Sequence, residues 1–181
     1  GCAIEKRQIV LGIDRAGFVG EDGETHHGLF DVAMLTTVPG VTVYSPSDTA
    51  ELSQCLEQAL YKDKGIVAVR YPRGCELYRS GTKAYSGFRL VSNKSRKLIF
   101  TYGRISAYAY TIHGVDVLQA IKIFPIADEM IDICLAYDEI YAFEEGEREG
   151  GIAQKLCTAL ALAGYKGRFT ITAVDGFVRH A

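Results

Sequence analysis

Three short stretches of the 181-residue chain carry side chains suited to chemistry on a small anion: Asp14-Arg15, the loop Asp22-Gly-Glu-Thr-His26-His27, and Arg70-Tyr-Pro-Arg73. Guanidinium forks grip phosphate or carboxylate oxygens in pairs, and a histidine with an unperturbed pKa of about 6.5 can give or take a proton near neutral pH. Arg15, Arg70 and Arg73 are therefore candidate ligand contacts. His26 is the candidate acid or base, with Asp22 a carboxylate nearby. Spacing alone leaves a plainer alternative open, in which the arginines form surface ion pairs, Arg73 with Glu76 for example, while Asp22 caps a turn and the histidine sits in one. The adjacent His26 and His27 would point to opposite faces of an extended segment, an arrangement poorly suited to holding one metal ion. His27 is expected to be structural.

These groups need elements to position them. The apolar run from Gln8 to Asp14 has the length and β-branching of a buried parallel strand that opens into a loop. From Arg15 to Gly28 the chain holds Gly17, Gly20, Gly23 and Gly28 with almost no apolar period, which reads as a long functional loop. A short helix over 29–38, stopped by Pro39-Gly40, precedes a strand at Val41 to Tyr44. A helix then starts at Asp48, which with Glu51 suggests a capping box, and carries Leu52, Cys55, Leu56, Ala59 and Leu60 on one face. Ile66 to Arg70 is a third strand. This βαβαβ order implies a parallel sheet covered by helices, whose ligands gather outside the carboxyl ends of the strands, where all three polar stretches fall.

Between Gly74 and Arg96 no period persists, and residues 78–95 read as a linker. A second alternating set follows: strand Lys97 to Tyr102, a short helix near 105–112, strand Val115 to Ile121, and a helix from Asp128 to Leu135. Strand Glu139 to Phe143 comes next, then a helix with Ile152, Leu156, Ala159, Leu160 and Ala163 on one face, stopped by Gly164, and a last strand from Phe169 to Val174. The fold class is thus α/β, with two small parallel-sheet domains. The acidic run Glu144 to Glu149 reads as a solvated or interface loop at a helix start.

The balance of 20 Lys+Arg against 22 Asp+Glu, without a basic block, argues against nucleic acid as the main partner. The 11 tyrosines are scattered and mark no stacking platform. No apolar run approaches the roughly 20 residues of a membrane helix, and the first residues lack a signal-peptide pattern, so a cytoplasmic location is expected. Five widely spaced cysteines fit reduced, mostly buried thiols.

The string from Asp14-Arg-Ala-Gly17 through Asp22-Gly-Glu-Thr-His-His-Gly28 to Asp31 closely resembles the substrate loop of the 1-deoxy-D-xylulose-5-phosphate synthases, thiamine-diphosphate enzymes of the transketolase superfamily. The resemblance continues through Pro46-Ser-Asp48, Arg70-Tyr-Pro-Arg-Gly74, Thr101-Tyr-Gly103, Glu144-Glu-Gly146 with Gly150-Gly-Ile152, and Val174-Asp-Gly-Phe-Val178. It implies that residues 1–77 are the distal part of a pyrimidine-binding domain and 96–181 a transketolase C-terminal-type domain. It also implies a decarboxylating condensation of pyruvate with D-glyceraldehyde 3-phosphate that feeds isoprenoid, thiamine and pyridoxal synthesis. By resemblance Arg15 and Arg73, with Arg70 a third candidate, would hold the triose phosphate. Asp22 and His26 would sit over the reacting carbons.

The family's cofactor-activating glutamate and its Gly-Asp-Gly motif for Mg²⁺ and diphosphate lie upstream of this loop, beyond the residues preceding Asp14. The resemblance therefore implies a C-terminal fragment, inactive in isolation, of an enzyme that uses thiamine diphosphate and Mg²⁺ and forms a homodimer. The alternative is a non-catalytic phospholigand-binding or assembly module of a split transketolase-like complex.

Overall fold

The computed structural model describes residues 2–5, 7–20, 23–77 and 85–179. Its first sheet follows from three apolar runs. Strands β1 (Ile9–Ile13), β2 (Val41–Tyr44) and β3 (Ile66–Arg70) pair in parallel in the order β1-β3-β2. The central β3 presents Val67, Ala68 and Val69 to the core, fully buried. β1 lies at the edge, so Leu11 is 37% exposed and the fully buried strand expected there is only half-covered.

Between them, helix α1 (Asp31–Leu35) is shorter than the 29–38 expected, and α2 (Thr49–Tyr61) crosses from β2 to β3. The α2 cap forms largely as the sequence suggests. Asp48 accepts the Glu51 amide at 2.8 Å, while the Glu51 carboxylate reaches back to the amide and hydroxyl of Ser47, both at 2.8 Å. Cys55 and Ala59 are fully buried on the sheet side, but Leu60 is 54% exposed because the last turn overhangs the sheet.

Two short strands escaped the sequence reading. β4 (Phe88–Val91) lies within the segment read as a linker. β5 (Lys97–Tyr102), β6 (Asp116–Ala120), β8 (Glu139–Glu147) and β9 (Arg168–Val174) form a parallel set, with β4 antiparallel on β6, in the order β4-β6-β5-β8-β9. The other, β7 (Lys122–Phe124), leaves this sheet and pairs antiparallel with β2 of the first, Val43 opposite Phe124. The first sheet thus takes its fourth strand from beyond the expected linker. One core runs through both halves, joining Val32, Val43 and Ala68 to Phe100, Leu118 and Ile123.

Helix α3 (Ser106–Ala109), after a 3₁₀ turn at Gly103–Ile105, is a single turn where a longer helix was expected. α4 (Asp128–Leu135) and α5 (Ile152–Leu162) flank the second sheet. Past α5, Gly164 at φ 82° supplies the left-handed stop, with the Tyr165 amide donating to Leu160 O at 2.9 Å.

A buried joint ties the halves: Gln119 of β6 donates to Glu51 Oε2 at 2.8 Å, and Arg89 of β4 pairs with Glu51 Oε1 at 3.1 Å. Among the described residues no helix is long and apolar enough to cross a membrane. All five cysteines are free. Cys55 and Cys134 are buried, Cys157 is half-buried, and Cys2 and Cys75 are exposed, so burial is less general than expected.

Candidate functional site

The register of β1 and β3 sets Ile13 opposite Arg70, so the residues that follow both strands emerge side by side at the carboxyl edge. The pairing continues past the strands: Tyr71 N–H donates to Ile13 O at 2.9 Å and Ala16 N–H to Tyr71 O at 3.0 Å. Arg15 and Arg73 therefore belong to neighbouring arms of one rim. Arg15 adopts φ 57°, a left-handed conformation costing a non-glycine residue about 1 kcal/mol. Its guanidinium rests on Asp14 Oδ2 at 2.6 Å, with both side chains well exposed. Such a surface pair is worth less than about 1 kcal/mol.

The glycine-rich loop is pinched at its neck. Gly17 and Gly28 exchange backbone hydrogen bonds of 2.9 and 3.0 Å, and a Cβ on Gly28 would stand 2.2 Å from Arg15 O and 3.0 Å from Ala16 Cα. Gly28→Ala is expected to force this neck open, with a stability loss of about 1–3 kcal/mol and faster amide exchange at Gly17. Unchanged exchange there would contradict the pinched neck.

Beyond the neck, His27 Nδ1 accepts the Val19 amide at 2.9 Å, and Phe18 packs edge-on to its ring at 5.8 Å, which bears out the structural reading of His27. His26 ends an exposed 3₁₀ turn (Glu24–His26), its Nδ1 2.9 Å from the Thr25 hydroxyl. Asp22 lies outside the described residues.

Arg70 occupies a different position from Arg15 and Arg73. It is 2% exposed, and its Nε and Nη2 take both oxygens of Asp31 at 2.9 and 3.1 Å. Nη2 also donates to Gly28 O at 3.1 Å, Nη1 reaches the Ser45 hydroxyl at 3.4 Å, and the group stacks 5.7 Å from the Tyr102 ring centroid. Burial alone would lower its pKa, but Asp31 outweighs that and holds the guanidinium charged. The group is consumed in bracing the loop neck from below, so the structure does not present Arg70 to a ligand.

Beside it, Glu144 is buried rather than solvated. It accepts the Tyr102 hydroxyl at 2.8 Å and the Ile152 amide that opens α5 at 3.0 Å. Burial lifts its pKa above the usual carboxylate range, against the pull of those donors, and burial together with Glu144 pushes the Tyr102 phenol well up. This scaffold of Asp31, Tyr102 and Glu144 was missed as a unit. Its only sequence signal was the pair of short motifs, Thr101-Tyr-Gly103 and Glu144-Glu-Gly146.

The comparisons with known proteins agree with this architecture. A family described as "Transketolase, pyrimidine binding domain" matches residues 1–76. A 1-deoxy-D-xylulose-5-phosphate synthase of Chlorobium phaeovibrioides is 36% identical over 98% of this chain and 30% of its own length. Residues 1–76 thus match a transketolase pyrimidine-binding domain, and the chain as a whole is similar to curated 1-deoxy-D-xylulose-5-phosphate synthases. A synthase of Thermus thermophilus is 34% identical over the same shares. The solved structure titled "Split gene transketolase, inactive beta4 tetramer" superposes with a TM-score of 0.77 at 20% identity, covering 96% of this chain and 60% of that one, a likeness of fold. The chain spans about 30% of the length of the curated synthases it matches.

Proposed function

We propose that this chain supplies the triose-phosphate side of a 1-deoxy-D-xylulose-5-phosphate synthase, a transferase that condenses pyruvate with D-glyceraldehyde 3-phosphate and releases CO₂. The observation carrying the reading is the parallel register that sets the Arg15 and Arg73 arms side by side at the carboxyl edge of the sheet. In this reading the two guanidinium groups hold the phosphate, Arg15 exchanging Asp14 for it. The phosphate anchor presents the aldehyde end to the loop carrying Asp22 and His26. There the exposed His26 imidazole gives or takes the proton of the developing hydroxyl. Arg70 serves from beneath, through Asp31 and Gly28.

The resemblance to thiamine-diphosphate enzymes brings thiamine diphosphate and Mg²⁺ into this reading as cofactors. Among the described residues no three of His, Cys, Asp or Glu gather to hold a metal ion. The cofactor's chemistry is accordingly assigned to no residue of this chain. In this reading the 181 residues alone do not turn over, and the working enzyme is a cytoplasmic homodimer.

Calorimetric titration with D-glyceraldehyde 3-phosphate and with inorganic phosphate tests the proposal. Binding of both by the unaltered chain is expected, weakened about 10- to 100-fold by Arg73→Ala, the range for losing charged hydrogen bonds. Absence of binding, or equal affinity in the variant, would remove the phosphate role.

A further inference from the structure

The two arms of the proposed phosphate clamp are each held by a residue from the second half of the chain. Arg104, in the 3₁₀ turn after β5, donates from Nη1 to Arg73 O at 3.2 Å. Glu145, on β8, sets its carboxylate beside the Phe18 amide just beyond the loop neck. Its carboxylate lies so close to Gly17 that a Cβ there would stand 2.8 Å from Oε2. Arg104 and Glu145 line one cavity of about 10 Å³, along with Gly17, Pro72 and Tyr102. Arg104 Nε is buried with no hydrogen-bond partner among the described residues, and the Glu145 carboxylate feels the charge of Arg70 first and of Arg104 second. One residue therefore grips the main chain of the Arg73 arm, the other packs against the main chain just past Arg15, and both line one void with the buried Arg70.

We infer that Arg104 and Glu145 form a positioning pair that sets the gap between the Arg15 and Arg73 arms, and so the affinity of the rim for a phosphate monoester. The inference rests on the proposed phosphate-binding reading. Neither residue needs to touch the ligand. A grip on phosphate by two guanidinium groups requires them at a fixed separation, and supporting hydrogen bonds hold such a geometry. The backbone carbonyl held by Arg104 belongs to Arg73 itself, so the anchor acts directly on the residue whose side chain is to be placed.

The test uses the 181-residue chain, titrated calorimetrically with inorganic phosphate and with D-glyceraldehyde 3-phosphate, and melted in parallel. Arg104→Gln, which cannot carry the charge, is expected to weaken both ligands by about three- to tenfold, the scale of one lost hydrogen bond. Arg104→Lys, which can still reach a carbonyl, should remain within about twofold of the parent. Glu145→Gln keeps an acceptor for the Phe18 amide and should lose less than Glu145→Ala. Equal affinities in the parent, Arg104→Gln and Glu145→Ala would overturn the positioning pair while leaving the phosphate reading intact. Loss of binding only in step with a lowered melting midpoint, with no recovery in Arg104→Lys, would reduce the pair to a structural contact and overturn it too. If the unaltered chain binds neither ligand, the phosphate reading fails and this inference falls with it.

Discussion

Arg70→Met is expected to lower the stability of the chain by about 3–5 kcal/mol, the usual result of removing one partner of a buried ion pair. The reason lies in what the guanidinium leaves behind. Asp31, its side chain only 14% exposed, would keep a carboxylate with no cation against it, and Gly28 O and the Ser45 hydroxyl would each lose a donor. For a chain of this size the midpoint should fall by roughly 6–20 °C. The double variant Arg70→Met with Asp31→Leu should recover much of that loss, because no uncompensated charge remains. A midpoint for Arg70→Met within a degree or two of the parent would show that the strut carries no weight. Arg73→Ala supplies the contrast. On the exposed rim it should leave melting nearly unchanged while weakening phosphate, so the two arginines of one Arg-Tyr-Pro-Arg string separate into a brace and a ligand contact.

That separation marks the boundary of what the sequence could reveal. Arg70 ends β3 and Arg73 follows it in the same Arg-Tyr-Pro-Arg string, and nothing in their types or spacing tells a brace from a ligand contact. The difference comes from Asp31, far away in the chain, which the loop neck brings beneath Arg70. Elements with a sustained period were legible to within a residue or so: α2 from its Asp48 cap and its buried Cys55 and Ala59, β5 from Leu98, Ile99 and Phe100, and α4 from Asp128 to Leu135. β4 and β7 were not, because three or four residues cannot display a period and both are antiparallel additions at sheet edges. The Glu144 to Glu149 run read as solvated because charge is usually exposed. Only the closure of α5 over β8 shows that Glu144 faces inward, between a phenol and a helix start. Arg15, Arg73 and His26 stand out by residue type alone, whereas Asp31, which Arg70 grips, is distant in sequence and became visible only with the fold.

The second large effect belongs to Asp116, the first residue of β6, which is buried and collects four donors. Its Oδ1 accepts the amides of Asn93 at 2.7 Å and Ser95 at 3.0 Å. Its Oδ2 accepts the hydroxyls of Ser92 and Tyr137, both at 2.8 Å. One carboxylate thus shapes the turn between β4 and β5 and ties it to Tyr137, just after α4. Burial pushes the Asp116 pKa up, but the Ser95 amide, the Tyr137 hydroxyl and the other two donors outweigh it and hold the group below the usual aspartate value. A carboxyl depressed in the folded state contributes stability that is complete above its unfolded pKa of about 3.9 and is lost as pH falls through the folded value. Asp116→Ala should therefore cost about 3 kcal/mol near neutral pH, through buried donors left without an acceptor. The deficit relative to the parent should shrink as the medium is acidified below pH 4, because the parent loses the same contribution by protonation. Urea unfolding of both proteins across pH 3 to 7 measures that difference. A deficit that stays constant or widens toward acid would show that Asp116 acts through packing alone and that its four donors do not depend on its charge.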